Sequence, residues 1–395
     1  MSNTAEVVLS DAPGESEVDS DLTPVSDNEI AVGQTLEHSI WSADGLLLLP
    51  RGGIIESEGQ RAGLLRKGYW HDPGISAWSR EARVQITYDK NEDPFAIAAG
   101  LPRHIDQVFD AVLLQSREGE SVEGFEFTFE RLISKVDALA RQWPDKILAV
   151  VHRPTPDLPY STHHPMDHAL LVGVLGRDMG FDQKARRSMI GAALLADVSL
   201  RSVRDALHQA SGLLNETGRD RLANHPALSR SMAETAGITD PLLLYLIAHH
   251  HRRAVTETAS MPPEQGVVAF ADAYTAMLTP RGDRPARDAC NSFRTALAQD
   301  GHDPEQVRTI IATIGFYPPG ASVRLSDGRY GVVTERGEAP GSGNGVVVLN
   351  ARGHPLGAPL ARFREGEGPT IKEGAEDCLP NASPSFLYRE WERGV

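Results

Sequence analysis

Seven successive segments between Ser161 and Ile314 repeat their apolar residues at the three- and four-residue spacing of amphipathic helices. The predicted helices cover residues 164–179, 185–197, 220–236, 241–251, 264–278, 285–299 and 304–314. Because no strand pattern interrupts this series, the segment predicts an all-α domain in which helices pack on helices. The chain as a whole is therefore expected to be mainly α.

The regions on either side of the helical segment have a different character. Three prolines, Pro154, Pro156 and Pro159, exclude a helix just before it and predict a domain boundary. After Pro318 and Pro319, short β-type runs separated by Asp327-Gly328 predict a β-hairpin extension. The predicted division is a disordered acidic tail at 1–28, a small α+β module with strands at 29–93, linking or dimerising helices at 94–151, a helical bundle at 152–317, and a β extension and tail at 318–395.

The charge and cysteine content narrow the possible partners. A formal net charge of -15 argues against double-stranded nucleic acid and anionic membrane surfaces. The two cysteines form neither a CxxC pair nor a zinc pattern, which fits a reducing compartment. No signal peptide or membrane-spanning run is visible, so a cytoplasmic protein without a membrane partner is expected.

Histidines and carboxylates concentrate in the helical segment. Eight of the 14 histidines lie between His163 and His251, and three of them end the segment LLLYLIAHHHRR, which spans Leu242 to Arg253. Imidazole and carboxylate groups on several helix ends of one bundle form a mixed nitrogen and oxygen set suited to iron, manganese or zinc. The candidate ligands are His164, Asp197, His225, His249, His250 and Asp272, while His163, His168, His208 and His251 are interpreted as bystanders. The alternative is a helical scaffold without an ion, in which each of these groups is a satisfied core or cap residue.

The order of short motifs along the helical segment matches that of a known family. It runs through YSxxH, AALLxD, HP, AHH, FADAYxAMLT, RPxR and GFYPPGxxVRLSDGRxGVV, between Tyr160 and Val333. This succession resembles the HD-GYP family, the bacterial cyclic di-GMP phosphodiesterase branch of the HD metal phosphohydrolases. The resemblance implies an HD-domain helical bundle.

The match is incomplete at several functional positions. The histidine of the His-Asp pair falls on Ala196, the following lysine falls on Leu200, and the Gly-Tyr-Pro motif is absent. His251 is aligned with a family glutamate. The resemblance implies one ion on Asp197, His225, His249 and His250, and a second on His164, Asp197 and Asp272 that lacks one ligand.

The function that the resemblance implies is metal-assisted hydrolysis of a phosphodiester, with Asp197 as the catalytic residue. Because ligands are missing, we expect a degenerate protein of cyclic di-GMP signalling that retains one divalent ion, has weak or no phosphodiesterase activity, and acts by binding or interaction. The alternative is an active phosphodiesterase on cyclic di-GMP or another phosphoester. The expected partners are cyclic di-GMP, signalling proteins such as diguanylate cyclases, and a second copy of the chain; the candidate phosphate-binding residues are Arg252, Arg284 and Arg287.

Overall fold

The computed structural model describes residues 22–71, 86–119, 121–153, 158–209, 216–251, 262–280, 286–298, 304–375 and 382–393. The chain forms two compact units, Met1–Val84 and Gln85–Val395. Among the residues placed by the structure, none of the helices combines the length and apolar character needed to cross a membrane. The fold is mainly α, with a small antiparallel sheet toward each end, as the sequence predicts.

The first unit is the small α+β module. Its antiparallel sheet has the order β1-β4-β2-β3 and its one described helix is α1. The elements are β1 Leu22–Pro24, β2 Ile40–Ser42, β3 Leu47–Leu49, α1 Glu58–Lys67 and β4 Gly68–His71. Strand β1 pairs with β4 although it lies within the predicted acidic tail, so the ordered part begins before residue 28.

The second unit contains twelve of the described helices and a five-stranded sheet. The helices are α2 Pro94–Glu118, α3 Phe125–Gln142, α4 Pro144–His152, α5 Tyr160–Asp178, α6 Gln183–Leu195, α7 Arg204–Gln209, α8 Glu216–Thr235, α9 Pro241–His249, α10 Pro263–Leu278, α11 Ala289–Ala298, α12 Pro304–Ile314 and α13 Pro384–Glu392. A single 3-10 turn, Val198–Leu200, follows α6. All seven helices predicted between Ser161 and Ile314 are present, with ends that differ by a few residues.

Helix α5 is the centre of the bundle. Every residue from Tyr160 to Gly176 is buried, because α3, α4, α6 and α10 all pack against it. A helix that is buried all round belongs to the core of a larger assembly of helices. The histidines on α5 are therefore held away from solvent.

Helices α2, α3 and α4 belong to the same compact unit as the bundle. Helix α3 packs against both α5 and α6, and Phe129, Leu132 and Leu139 are fully buried there. Their apolar faces thus contribute to the bundle core, and their interpretation as linking or dimerising helices stays a prediction. The finer domain division remains a prediction.

The C-terminal extension is larger than a hairpin. Its sheet has the order β8-β7-β6-β5-β9, with β5 Ser322–Leu325, β6 Tyr330–Arg336, β7 Gly343–Leu349, β8 Arg362–Phe363 and β9 Ile371–Gly374. The predicted β5-β6 hairpin turns at Asp327-Gly328, where Gly328 has a positive φ of 86°. The supposed tail contains α13, whose Leu387 and Trp391 pack onto Val332 and Val346 of the sheet.

Candidate metal centre

Five helices bring imidazole and carboxylate groups to one place in the bundle. His164 and His168 lie one turn apart on α5, His225 lies within α8, and Asp272 lies on α10. Asp197 lies two residues after the end of α6, and His250 and His251 directly follow α9. Among the described residues, the groups that can hold a metal ion form two sets: His225 and His250, both buried, with the exposed His251, and the buried His164, His168 and Asp272.

The orientation of His225 follows from the proline after it. Pro226 has no N–H, so the carbonyl oxygen of Leu222, four residues earlier in α8, lacks its usual helical donor. Nδ1 of His225 lies 2.6 Å from this oxygen and donates to it. The donated proton fixes the tautomer, so Nε2 of His225 carries a lone pair directed into the centre.

His250 and His251 reach the centre from the end of α9. Nδ1 of His250 donates to the carbonyl oxygen of Ile247 at 2.7 Å, one of the last carbonyls of the helix. Nδ1 of His251 donates to Oδ2 of Asp272 at 3.1 Å. Each ring thus has its outward nitrogen engaged, as metal-ligating histidines usually do.

The inner nitrogens of these three histidines face one another. Nε2 of His225 lies 3.1 Å from Nε2 of His250 and 3.2 Å from Nε2 of His251. His250 is neutral at physiological pH, because burial and the neighbouring His251 lower its pKa to about 3. With both Nδ1 atoms donating outward, the two Nε2 atoms of His225 and His250 approach closely enough to need a shared proton or a metal ion between them. The donor set therefore fits a divalent metal ion.

Asp197 supplies a carboxylate to the same place. It is 5% exposed, and its two oxygens lack hydrogen bonds of good geometry, although Oδ1 lies 3.1 Å from Nε2 of His225. Burial by itself would raise the pKa of Asp197, but Arg204 and then His225 hold it well below its ordinary value. A buried, ionised carboxylate with free lone pairs is a ligand for a cation.

The second set of groups is arranged differently. Nε2 of His164 already donates to Oδ1 of Asp272 at 3.0 Å, and it lies 3.9 Å from Oδ2 of Asp197. Nε2 of His168 donates to the carbonyl oxygen of Val268 at 3.0 Å. Ala196, which precedes Asp197 in the chain, is buried and offers only a methyl group. This side of the centre has fewer free donor atoms than the His225 side.

The structure does not bring all of the predicted ligands together. His164, Asp197, His225, His250 and Asp272 meet, but the ring of His249 stacks on Tyr245 with centroids 4.2 Å apart, and its Nδ1 donates to the Tyr245 carbonyl oxygen. His251, interpreted as a bystander, takes the place expected for His249. The reason is that α9 ends at His249, so the next two residues leave the helical register on which the prediction depended.

Two residues at the centre were not predicted from the sequence, and other candidate residues lie away from it. Arg204, which no sequence motif marked, contacts Asp197, and His168 joins the second set. His163 instead pairs with Asp167 on its own helix at 2.9 Å. Among the predicted phosphate-binding residues, Arg287 is exposed and donates to Thr295, while Arg252 and Arg284 lie outside the described residues.

Metal binding at this centre should strengthen as the pH rises. Burial opposes a charge on His251, but Asp272 outweighs it and raises the pKa of His251 above 6.5. The charged ring stabilises the metal-free fold below that value, and this contribution is lost as pH rises through the raised pKa. An ion must displace the proton, so we expect the apparent affinity to fall about tenfold per pH unit below the raised pKa. Calorimetric titration with Zn²⁺ between pH 6 and pH 8 measures this slope, and His251→Gln should reduce it by one proton; a slope unchanged by the substitution would contradict the assignment.

One comparison with known proteins bears on the motif order. No family model matches the chain. The cyclic di-GMP phosphodiesterase PA4108 of Pseudomonas aeruginosa is 25% identical, over 77% of this chain and 77% of its own length. Among solved structures, Bd1817, an HDG"Y"P protein from Bdellovibrio bacteriovorus, is 17% identical with a TM-score of 0.45, and the alignment covers 73% of this chain and 98% of that one. The first of these relatives confirms the resemblance seen in the motifs: the chain is similar to a cyclic di-GMP phosphodiesterase.

Proposed function

We propose that this chain is a degenerate HD-GYP-type protein of cyclic di-GMP signalling that binds one divalent metal ion, hydrolyses cyclic di-GMP weakly or not at all, and acts by binding or interaction. The observation that carries the proposal is the asymmetry of the centre. Three Nε2 atoms converge on the side of His225, whereas Ala196 stands on the other side where the family has an imidazole.

The proposed ion site uses His225, His250 and His251 with Asp197. A divalent ion held there supplies Lewis acidity toward a phosphodiester oxygen. The residues around it fix the geometry: Leu222 and Ile247 orient two of the rings through their carbonyl oxygens, and Asp272 orients the third. Iron, manganese and zinc all suit a ligand set rich in imidazole.

Weak or absent hydrolysis follows from what the second side lacks. Two ions a few ångströms apart stabilise both the attacking and the leaving oxygen of a phosphodiester, and a single ion cannot do both. His164 and Asp272 are hydrogen-bonded to each other, and no third imidazole comes from position 196. Binding of the dinucleotide without efficient turnover suits a receptor or adaptor.

The proposed ligand is cyclic di-GMP, because PA4108 is named as its phosphodiesterase. Arg287 and the predicted Arg252 and Arg284 remain candidates for its phosphates. A second copy of the chain and signalling proteins such as diguanylate cyclases are the proposed protein partners.

An active phosphodiesterase is the second candidate, and two observations favour it. The relative PA4108 carries that activity in its name, and Asp197 has one oxygen 3.1 Å from Nε2 of His225 and the other 3.9 Å from Nε2 of His164. In this alternative His164, His168 and Asp272 complete a second ion site without the missing imidazole.

One set of measurements separates the two candidates. The purified chain is reconstituted with Mn²⁺, Fe²⁺ or Zn²⁺, the metal per chain is measured by plasma mass spectrometry, and cyclic di-GMP binding and turnover are followed by calorimetry and chromatography. We expect one ion per chain, binding of cyclic di-GMP, and turnover far below the roughly 1–10³ s⁻¹ of ordinary enzymes. Turnover in that range that is abolished by Asp197→Ala supports the alternative, whereas a chain that binds neither metal nor cyclic di-GMP overturns both.

A further inference from the structure

Arg204 holds a positive charge at the incomplete side of the centre. This residue begins α7, its side chain is only 15% exposed, and one terminal guanidinium nitrogen lies 2.9 Å from Oδ2 of Asp197. The other oxygen of Asp197 faces His225. The same carboxylate is therefore shared between the His225 side and a buried arginine.

Aromatic stacking fixes the position of this guanidinium. It lies over the ring of Tyr160, 5.0 Å from the centroid, and Tyr160 in turn stacks on His164 at 5.0 Å with an angle of 7° between the rings. A planar guanidinium on an aromatic face is held by cation–π attraction and packing. Arg204 thus belongs to the same layer of groups as His164.

The charges around Arg204 explain why a cation is needed there. Asp197 and Asp272 are each only 5% exposed, and one terminal nitrogen of Arg204 lies 2.9 Å from Oδ2 of Asp197. A buried carboxylate is costly unless a cation or several hydrogen-bond donors lie beside it. A guanidinium does not lose its proton in proteins, and this charge is permanent.

We propose that the guanidinium of Arg204 stands in place of a second metal ion, neutralising Asp197 from the side of His164 and keeping the centre mononuclear. The inference rests on the proposed function, in which the His225 side holds one ion. It adds a cause: the second ion is excluded both by the missing imidazole at Ala196 and by an arginine that occupies the free oxygen of Asp197.

The experiment compares metal stoichiometry in four chains: the wild type, Ala196→His, Arg204→Met, and the double variant. Each is saturated with Mn²⁺ or Zn²⁺, desalted, and assayed for metal per chain. We expect one ion in the wild type and in both single variants, and two ions in the double variant, because both obstacles must be removed. Two ions in Ala196→His alone would overturn the proposal, and so would a folded double variant that stays at one ion.

Arg201 provides a matched control. It lies three residues before Arg204 and is 19% exposed, but it pairs with Oδ1 of Asp106 at 2.6 Å and stacks over Phe109. The double variant Ala196→His with Arg201→Met loses the same charge away from Asp197 and should stay at one ion. Two ions in this control would show that general loss of positive charge, and not the place of Arg204, decides the stoichiometry.

Thermal unfolding in the presence of a chelator gives a readout that needs no metal. Arg204→Met should lower the melting temperature of the metal-free chain more than Arg201→Met does, since only Arg204 neutralises a buried carboxylate of the centre. Equal melting temperatures would overturn the role of Arg204 even if the double variant fails to fold. A wild type without any bound metal would instead refute the proposed function, while the chelator measurement would still decide whether Arg204 is the countercharge of Asp197.

Discussion

Replacing His251 with alanine will lower the affinity of the chain for a divalent metal ion by at least about 100-fold, the upper end of what loss of a supporting group costs. His249→Ala will leave the affinity unchanged. The two residues are separated by one position, but Nε2 of His251 faces Nε2 of His225 at 3.2 Å, whereas the ring of His249 stacks on Tyr245. Calorimetric titration of each purified variant with Zn²⁺ measures the difference.

This pair of variants is well matched. The His251 side chain is 49% exposed, so its truncation removes a ligand without opening a cavity in the core. Circular dichroism before titration verifies that both variants are folded. The reverse result, a loss of affinity in His249→Ala alone, would restore the ligand pair His249 and His250 that the motif order predicts.

Asp197→Asn will destabilise the metal-free chain by about 3–5 kcal/mol at pH 7, the usual cost of removing one partner from a buried ion pair. Arg204 would keep its charge in a largely buried position, 15% exposed, with no carboxylate opposite. The contribution of Asp197 is present above its ordinary pKa of 3.8 and is lost as pH falls toward its lowered value, so the difference in stability between wild type and variant should be smaller at pH 3 than at pH 7. Urea unfolding of chelator-treated protein at pH 7 and pH 3 measures both effects.

Asp106→Asn is the control for this substitution. Asp106 also pairs with an arginine, Arg201, but its side chain is 44% exposed. Exposed ion pairs contribute about 0–1 kcal/mol, and we expect a loss in that range. If the two substitutions cost the same, the pair between Asp197 and Arg204 is screened by solvent and is not the buried pair described above.

The helical elements were largely predictable from local pattern. Asp182 and Asp240 each cap a helix with their carboxylates, accepting hydrogen bonds from the backbone of Ala185, Leu242 and Leu243. Such caps, together with apolar spacing and Pro241 at a first helical position, depend only on neighbours in sequence. The packing of α13 on the sheet was not predictable in this way, since its Trp391 meets residues more than forty positions away.

Part of the candidate metal centre could also be predicted from the sequence. Pro226, which follows His225, has no N–H and leaves the carbonyl oxygen of Leu222 without its helical donor. In the structure Nδ1 of His225 donates to this oxygen. Which of the three consecutive histidines face the metal centre could not be predicted from the sequence, because this depends on where α9 ends and on the position of Asp272 on another helix. In a run of identical residues, nothing in the sequence distinguishes the side chains that face inward from those that face outward.

The sequence by itself determined the mainly α fold, the order of motifs, and which residue types could hold an ion. Only the tertiary structure decided that the ring of His251, and not that of His249, lies against His225, and that Arg204 faces Asp197. The physical reason is that the two kinds of interaction act over different distances along the chain. Helix periodicity and capping act over three or four residues, whereas the electrostatic balance of a buried carboxylate depends on every charge that the fold brings within a few ångströms.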